Sequence, residues 1–218
     1  MKTMRSIEVA IATGGVELQG MLNLPDEASG IVIFAHGSGS SRFSTRNQRV
    51  AQALNQAGLA TLLFDLLTAK EHDRDLDTAE YRFDIALLTH RLIGAVDWLS
   101  LHAPTKTLAV GLFGASTGAA AALQAAAELE GQISAVVSRG GRPDLAGSDA
   151  LSRVECPTLL LVGGLDDVVI DLNRQAASQM HCHKDLIIIP GATHLFEEPG
   201  TLEEVERLSV EWFGRYLK

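Results

Sequence analysis

Cysteine, basic residues and long apolar runs are all scarce in this sequence, and each shortage excludes a class of protein. The two cysteines, Cys156 and Cys182, lie far apart in 218 residues, so a disulfide framework is not expected and both are predicted to be buried, reduced thiols. No apolar run approaches the roughly 18 residues of a membrane span. Lys and Arg number 18 against 27 Asp and Glu, and the net charge of −9 disfavours nucleic acid, anionic membranes and strongly anionic substrates as partners.

Proline and glycine, at 6 and 20, are too few for a collagen-like or low-complexity chain, and 46% hydrophobic residues exclude a disordered one. A chain of this length buries roughly 70% of its unfolded surface, so it needs neither disulfides nor metal to fold. No repeat or linker interrupts it, which predicts a single domain over residues 1–218. Met1–Ala10 lacks the apolar core of a signal peptide, so we expect a cytoplasmic location.

Hydrophobic periodicity predicts an α/β fold with a mostly parallel central sheet. Ser6–Ala12 and Val16–Leu24 alternate apolar and polar residues around Thr13-Gly14-Gly15, which indicates an antiparallel hairpin. Uniformly apolar runs, typical of strands covered on both faces, follow at Ile31–Ala35, Leu59–Phe64, Leu108–Phe113, Ile133–Val137, Thr158–Val162 and Leu186–Ile189. Helices on both faces are predicted between them, over about Arg46–Ala57, Arg82–Leu101, Thr117–Leu129, Leu172–Met180 and Leu202–Tyr216.

A glycine-flanked serine follows one of these strands. Gly114-Ala115-Ser116-Thr117-Gly118 matches the pattern G-x-S-x-G, which is weak evidence alone but here lies between an apolar strand and an Ala-rich helix. Such a turn leaves no room for a Cβ at positions 114 and 118. It also holds the serine in a strained conformation with its hydroxyl at a helix N-terminus. An ordinary glycine-rich turn with a capping serine is the alternative interpretation.

A serine hydroxyl needs a base and an orienting carboxylate to act as a nucleophile, and candidates for both follow other strands. His194 lies after the last strand, and Asp166 and Asp167 follow the strand before it. We favour Asp166 as the acid, because it lies at the exit of its strand. Asp167 is interpreted as a solvated or helix-capping residue.

Backbone N–H groups are expected to stabilise negative charge on a reacting carbonyl oxygen. Thr117 follows the serine and provides one such group. The second is expected from Ser38 in the His36-Gly37-Ser38-Gly39 loop after the first parallel strand, with His36 bracing that loop.

The order Ser116, Asp166, His194, with HGSGS after the first parallel strand, resembles the α/β-hydrolase superfamily over essentially the whole chain. The segments FAHGSGSSR, LATLLFDL and PGATHLFEEPG are similar to the small dienelactone-hydrolase-like branch, some bacterial members of which are fused to a phosphoribosyltransferase. The resemblance implies an α/β-hydrolase fold without a cap domain and a Ser116–His194–Asp166 triad. Dienelactone hydrolase proper uses a cysteine nucleophile. The serine at position 116 therefore favours hydrolysis of small or short-chain carboxylic esters, with thioesters or lactones as alternatives.

Three secondary features carry weaker predictions. Arg42, Arg139 and Arg142 follow strands at the presumed active edge, where each would bind a substrate carboxylate or form a surface ion pair. His181-Cys182-His183 resembles a metal-binding tract but has no evident third ligand, so no metal is expected. Leu67–Tyr81 is polar and long for a connection, which predicts a solvated loop in preference to a mobile flap over the site.

Two further functional classes stay open. Gly37-Ser38-Gly39, followed by Asp65 after the next strand, partly matches a dinucleotide-binding fingerprint, although Arg42 stands where the third glycine belongs. A non-catalytic scaffold on a hydrolase fold is the other alternative. The favoured interpretation requires a small-molecule ester and no cofactor. The sequence leaves open whether the protein is a monomer or a dimer.

Overall fold

Eight strands form one sheet in the computed structural model, which describes residues 4–218. The strands are β1 (Met4–Thr13), β2 (Val16–Pro25), β3 (Gly30–Ala35), β4 (Ala60–Phe64), β5 (Ala109–Ala115), β6 (Ile133–Arg139), β7 (Thr158–Gly163) and β8 (Lys184–Ile189). Their order across the sheet is β1-β2-β4-β3-β5-β6-β7-β8. β1 pairs antiparallel with β2 and β2 antiparallel with β4, whereas every other neighbouring pair is parallel. The predicted hairpin and mostly parallel sheet are confirmed.

Helices cover both faces of the sheet, as predicted. They are α1 (Thr45–Gln56), α2 (Ala69–Thr78), α3 (Ile85–Leu101), α4 (Thr117–Glu128), α5 (Ser148–Arg153), α6 (Asp167–Gln179) and α7 (Thr201–Tyr216), with a 3-10 turn at Pro143–Ala146. Alternate residues of β3 enter two separate cores: Ile31 and Ile33 pack with α3 and α4, whereas Val32 and Phe34 pack with α1 and α7. No segment of residues 4–218 forms a separate cap.

Ala69–Thr78 of the segment Leu67–Tyr81, predicted as a solvated loop, forms helix α2, so the prediction of a loop was wrong. Thr68 and Glu71 form a capping box at the start of α2. Glu71 also accepts from buried Arg91 of α3 at 2.9 Å. At the other end, buried Asp75 accepts from the backbone N–H groups of Tyr81 and Arg82 at 2.7 and 3.0 Å. Glu71 and Asp75 therefore make specific contacts, whereas most other polar residues of the segment are exposed.

Smaller departures affect the C-terminal half. Helix α6 begins at Asp167 and not at Leu172, and two short helical segments between β6 and β7 were not predicted. The cysteines are free but half-buried, and burial raises the pKa of Cys156 to about 12. His183 of the histidine–cysteine tract stacks on Trp212 at 5.6 Å.

Residues 4–218 contain neither a membrane-spanning helix nor a cluster of metal-binding side chains. No helix there is long and apolar enough to cross a bilayer. No group of three or more His, Cys, Asp or Glu side chains in that range is arranged to hold a metal ion. Met1–Thr3, the first residues of the segment on which the expectation of a cytoplasmic location depends, lie outside the described residues.

Candidate active site

Ser116 lies on a sterically locked turn between β5 and α4. Its backbone has φ 51° and ψ −120°, a conformation that costs a non-glycine residue about 1–3 kcal/mol. A Cβ at Gly114 would lie 2.4 Å from the Cα of Ala119, and a Cβ at Gly118 would lie 2.2 Å from the carbonyl oxygen of Ala35. The glycines therefore allow strand, turn and helix to approach closely enough to impose the strained serine.

His194 and Asp166 are joined by a short hydrogen bond. The Nδ1 of His194 lies 2.7 Å from Oδ2 of Asp166, and the two side chains are 38% and 17% exposed. The histidine thus keeps a solvent-accessible edge while its carboxylate partner is mostly shielded. Asp167 is exposed and begins α6.

The loops that carry this histidine and this carboxylate are bonded to each other. The backbone N–H of Leu165 donates to the carbonyl oxygen of Ala192 at 2.9 Å. A Cβ at Gly163 would lie 2.5 Å from the carbonyl oxygens of both Ala192 and Thr193, so the approach requires glycine. Glu198 accepts from the N–H and hydroxyl of Thr193 at 3.0 and 2.6 Å. These contacts fix the positions of the two loops relative to each other.

His36 braces the loop that faces Ser116. Its Nε2 accepts from the backbone N–H of Leu66 at 3.0 Å, so the proton is on Nδ1, which donates to the carbonyl oxygen of Gly37 at 2.9 Å. Burial lowers the pKa of His36 and keeps the ring neutral. Gly37 lies so close to the nucleophile turn that its added Cβ would be 3.1 Å from the Cβ of Ser116.

The predicted oxyanion donors flank this contact. Ser38 follows Gly37 and lines the same pocket as Ser116. Thr117 is buried and is the first residue of α4, so its N–H has no acceptor within the helix.

A pocket of about 250 Å³ lies over Ser116. It brings together Ser38, Ser116 and His194 with the polar side chains of Arg46, Asn47 and Arg139. A larger cavity of about 390 Å³ lies on the other side of the His36–Ser40 loop, and neither Ser116 nor His194 lines it.

The three arginines singled out in the sequence have different environments. Arg42 is bonded to Asp65 through both its backbone N–H, at 2.7 Å, and its guanidinium. Arg142 makes a bidentate pair with Asp144 at 2.8 and 2.7 Å. Neither lines the pocket over Ser116, whereas Arg139 does. Asp65 is the carboxylate that a dinucleotide fingerprint requires to bind ribose, but in this structure it binds Arg42.

Sequence reasoning missed Arg46 and Asn47, which reach the pocket from the first turn of α1. No motif distinguishes Arg46 from Arg49, which pairs with Glu203 and Glu206 outside the pocket. Only the packing of α1 beside the active edge places Arg46 in the pocket and Arg49 outside it.

Comparison with protein families matches residues 28–209 to a family model described as an alpha/beta hydrolase domain. The chain belongs to the α/β-hydrolase family. This hydrolase chain is 56% identical to the solved dienelactone hydrolase of Anabaena variabilis, with a TM-score of 0.97 and 99% of each chain covered.

More distant structures share the fold alone. Est1E of Butyrivibrio proteoclasticus is 19% identical with a TM-score of 0.79, covering 95% of this hydrolase chain and 98% of its own. An esterase of Pyrococcus furiosus is 18% identical with a TM-score of 0.77, covering 99% and 92%.

The curated relatives are longer proteins. Two proteins of Mycobacterium tuberculosis, from strains CDC 1551 and H37Rv, are each 54% identical over 214 residues, and both names propose a phosphoribosyl transferase. The match covers 98% of this chain and 47% of each relative. The chain thus spans about half the length of the curated relatives it matches.

Proposed function

We propose that this α/β-hydrolase chain hydrolyses carboxylic esters of small or short-chain substrates through an acyl-enzyme on Ser116. The observation that carries the proposal is the 2.7 Å bond between His194 Nδ1 and Asp166. Because Asp166 occupies Nδ1, the other ring nitrogen is available to accept a proton from the hydroxyl of Ser116, which lines the same pocket as His194.

The reaction follows from these positions. His194 takes the hydroxyl proton as Oγ of Ser116 bonds to the ester carbonyl carbon, and Asp166 stabilises the imidazolium. The backbone N–H groups of Ser38 and Thr117 stabilise the oxyanion. The carbon–alkoxide bond then breaks, and His194 returns the proton to the departing alcohol. Water attacks the acyl-enzyme by the same steps and releases the acid and free Ser116.

Two lines of support limit the substrate class. The serine nucleophile and a pocket of about 250 Å³ favour small oxygen esters. The 56% identical neighbour named as a dienelactone hydrolase favours lactones as the second candidate, and thioesters are a further alternative on the same residues.

The free cysteines favour action in the cytoplasm. We assign the phosphoribosyl-transferase name of the curated relatives to the part of those proteins that this chain does not match.

The test compares Ser116→Ala with wild type on p-nitrophenyl esters of increasing acyl length, and on a matched lactone and thioester. We expect turnover that favours short acyl groups and falls at least about 1,000-fold in Ser116→Ala. Ser152→Ala, at an exposed serine of α5, is the matched control and should retain wild-type rates. Full activity in Ser116→Ala would contradict the proposal.

A further inference from the structure

Arg139 is a buried cation for which residues 4–218 provide no carboxylate partner. The residue is only 7% exposed. Within the described chain, the one hydrogen bond of its guanidinium runs from Nη2 to Oδ1 of Asn47 at 3.2 Å, and Nε is buried without an acceptor. A guanidinium has five N–H donors, and burial of such a cation is tolerated only when other groups satisfy it. The arrangement therefore has room for an anionic acceptor.

A second guanidinium lines the same pocket. Arg46 makes an ion pair at 3.0 Å with Glu197, whose side chain is 64% exposed. The Nε of Arg46 is buried, and no group of residues 4–218 accepts a hydrogen bond from it. Burial, and after it the charge of Arg46, lower the pKa of Arg139 to about 10, so Arg139 stays charged at neutral pH. Two like charges at one site repel each other, and an anion between them would relieve that repulsion.

The cation pair lies beside the nucleophile. Arg139 ends β6 opposite Ala115 in the register of β5, and the backbone N–H of Ser116 donates to the carbonyl oxygen of Arg139 at 3.3 Å. The pocket around them is largely polar, with Ser40, Ser44 and Asn47 among its lining residues. Such a lining suits a short charged chain better than a long acyl chain.

The geometry points to a carboxylate-binding subsite formed by Arg139 and Arg46, so that the preferred substrate is a short ester carrying a free carboxylate. This inference rests on the proposed function. A planar guanidinium matches a carboxylate geometrically, and each charge-assisted hydrogen bond it forms is stronger than a neutral one.

The net charge of −9 does not prevent such binding. Charges on the outer surface are screened over about 8–10 Å at physiological salt, whereas Arg139 is buried and lines the pocket itself. Glu197, the acidic partner of Arg46, is exposed to solvent.

A purely structural role for Arg139 makes a different prediction. Its guanidinium carbon lies 5.9 Å from the ring centroid of Phe196, two residues beyond His194. If Arg139 only supported this loop, its replacement would slow neutral and anionic esters by the same factor. A subsite instead predicts a selective loss for the anionic ester.

The first experiment measures kcat/KM in a pH-stat at pH 7.5 for methyl pentanoate and for two carboxylates of similar length, monomethyl glutarate and 3-acetoxypropanoate. We expect wild type to prefer at least one of the two carboxylates over the neutral ester by tenfold or more. Arg139→Gln should reduce that preference at least tenfold, and Arg46→Gln should reduce it by a smaller factor.

Two controls match these variants. Arg49→Gln changes an arginine of the same helix as Arg46 that pairs outside the pocket, and Arg142→Gln changes one that pairs with Asp144. Both should retain the wild-type preference. Equal loss for neutral and anionic esters in Arg139→Gln, or no preference in wild type, would overturn the subsite.

A binding measurement gives a result independent of turnover and of how well a variant folds. Glutarate should raise the Tm of wild type, and its uncharged diamide should not. Stabilisation by inorganic phosphate but not by glutarate would overturn the carboxylate assignment. If neutral-ester hydrolysis survives Ser116→Ala, the proposed function fails, whereas glutarate binding still decides the subsite.

Discussion

The Ser116 turn and helix α2 both border the active edge of the sheet, but opposite kinds of contact hold them in place. At the turn, backbone atoms of β3, β5 and α4 lie so close that a Cβ at Gly118 would be 2.2 Å from the carbonyl oxygen of Ala35. At α2, the helix is held by side chains, chiefly buried Asp75 and its hydrogen bonds to Tyr81 and Arg82.

The difference explains what each region tolerates. A turn fixed by steric exclusion has almost no freedom to relax, so it can impose the strained φ of 51° on Ser116. A helix fixed by a few polar contacts keeps its shape only while those contacts persist. Substitutions in the two regions should therefore differ in what they damage: geometry at the turn, and local stability at α2.

The largest effect is expected from Gly118→Ala. Because the new Cβ meets backbone atoms that no side-chain rotation can move, we expect a loss of about 3 kcal/mol or more in the free energy of unfolding. The displaced serine should lower kcat/KM about 100-fold or more. Urea unfolding and ester kinetics measure the two effects.

Gly214→Ala is the matched control for this substitution. Gly214 lies in α7, and a Cβ there meets nothing within 4 Å. Alanine should raise stability by about 0.5–1 kcal/mol, because glycine is the poorer helix former. A mild effect of Gly118→Ala, comparable to this control, would contradict steric locking at the turn.

An intermediate effect is expected from Asp75→Asn. The substitution removes the charge that binds the Arg82 side chain at 2.7 Å in a site that is 2% exposed, which should cost about 1–3 kcal/mol. Hydrogen exchange should increase in α2 while ester turnover changes little. Exposed Asp77 of the same helix provides the control Asp77→Asn, which should be nearly neutral. Unchanged exchange in α2 would show that polar contacts do not hold it.

The smallest effect concerns pH and His36, which bonds both Gly37, close to the Ser116 turn, and Leu66, which precedes α2. Burial lowers the pKa of the folded-state ring below its ordinary 6.5, so the unfolded chain takes up a proton first as the pH falls. Stability should be fully present above pH 6.5 and decline below it, by at most about 1.4 kcal/mol per pH unit.

Urea unfolding at pH 7.5, 6.5 and 5.5 measures this slope. His36→Gln should flatten it relative to wild type, whereas His181→Gln, at an exposed histidine, should leave it unchanged. An identical slope in His36→Gln would contradict a neutral, buried His36.

The same contrast separates what could be predicted from the sequence from what could not. The glycines around Ser116 and the strand that precedes them are neighbours in the chain, so the strained turn could be predicted from local residues alone. The placement of Asp166 and His194 followed from the rule that parallel strands end at one edge. The start of α2 could be predicted from the capping box of Thr68 and Glu71, whereas the pairing of Glu71 with Arg91, 20 residues away, is a tertiary contact that local residues do not encode.

The three arginines show most clearly what cannot be predicted from the sequence. Arg42 and Arg142 follow strands and Arg139 ends one, and only Arg142 has its carboxylate partner, Asp144, within two residues. Carboxylates decide their environments: Asp65 binds Arg42 and Asp144 binds Arg142, whereas within residues 4–218 the guanidinium of Arg139 bonds only to Asn47. Absence of a partner is a tertiary property that a pattern of residues does not encode.

Labelling with a fluorophosphonate tests the central claim most directly, because an activated serine oxygen displaces fluoride from phosphorus far faster than an ordinary serine hydroxyl does. Peptide mass spectrometry should find a single adduct on Ser116 in wild type, formed far more slowly in His194→Ala. An adduct on another serine, no adduct, or a rate unaffected by His194→Ala would contradict a nucleophile at Ser116 activated by His194.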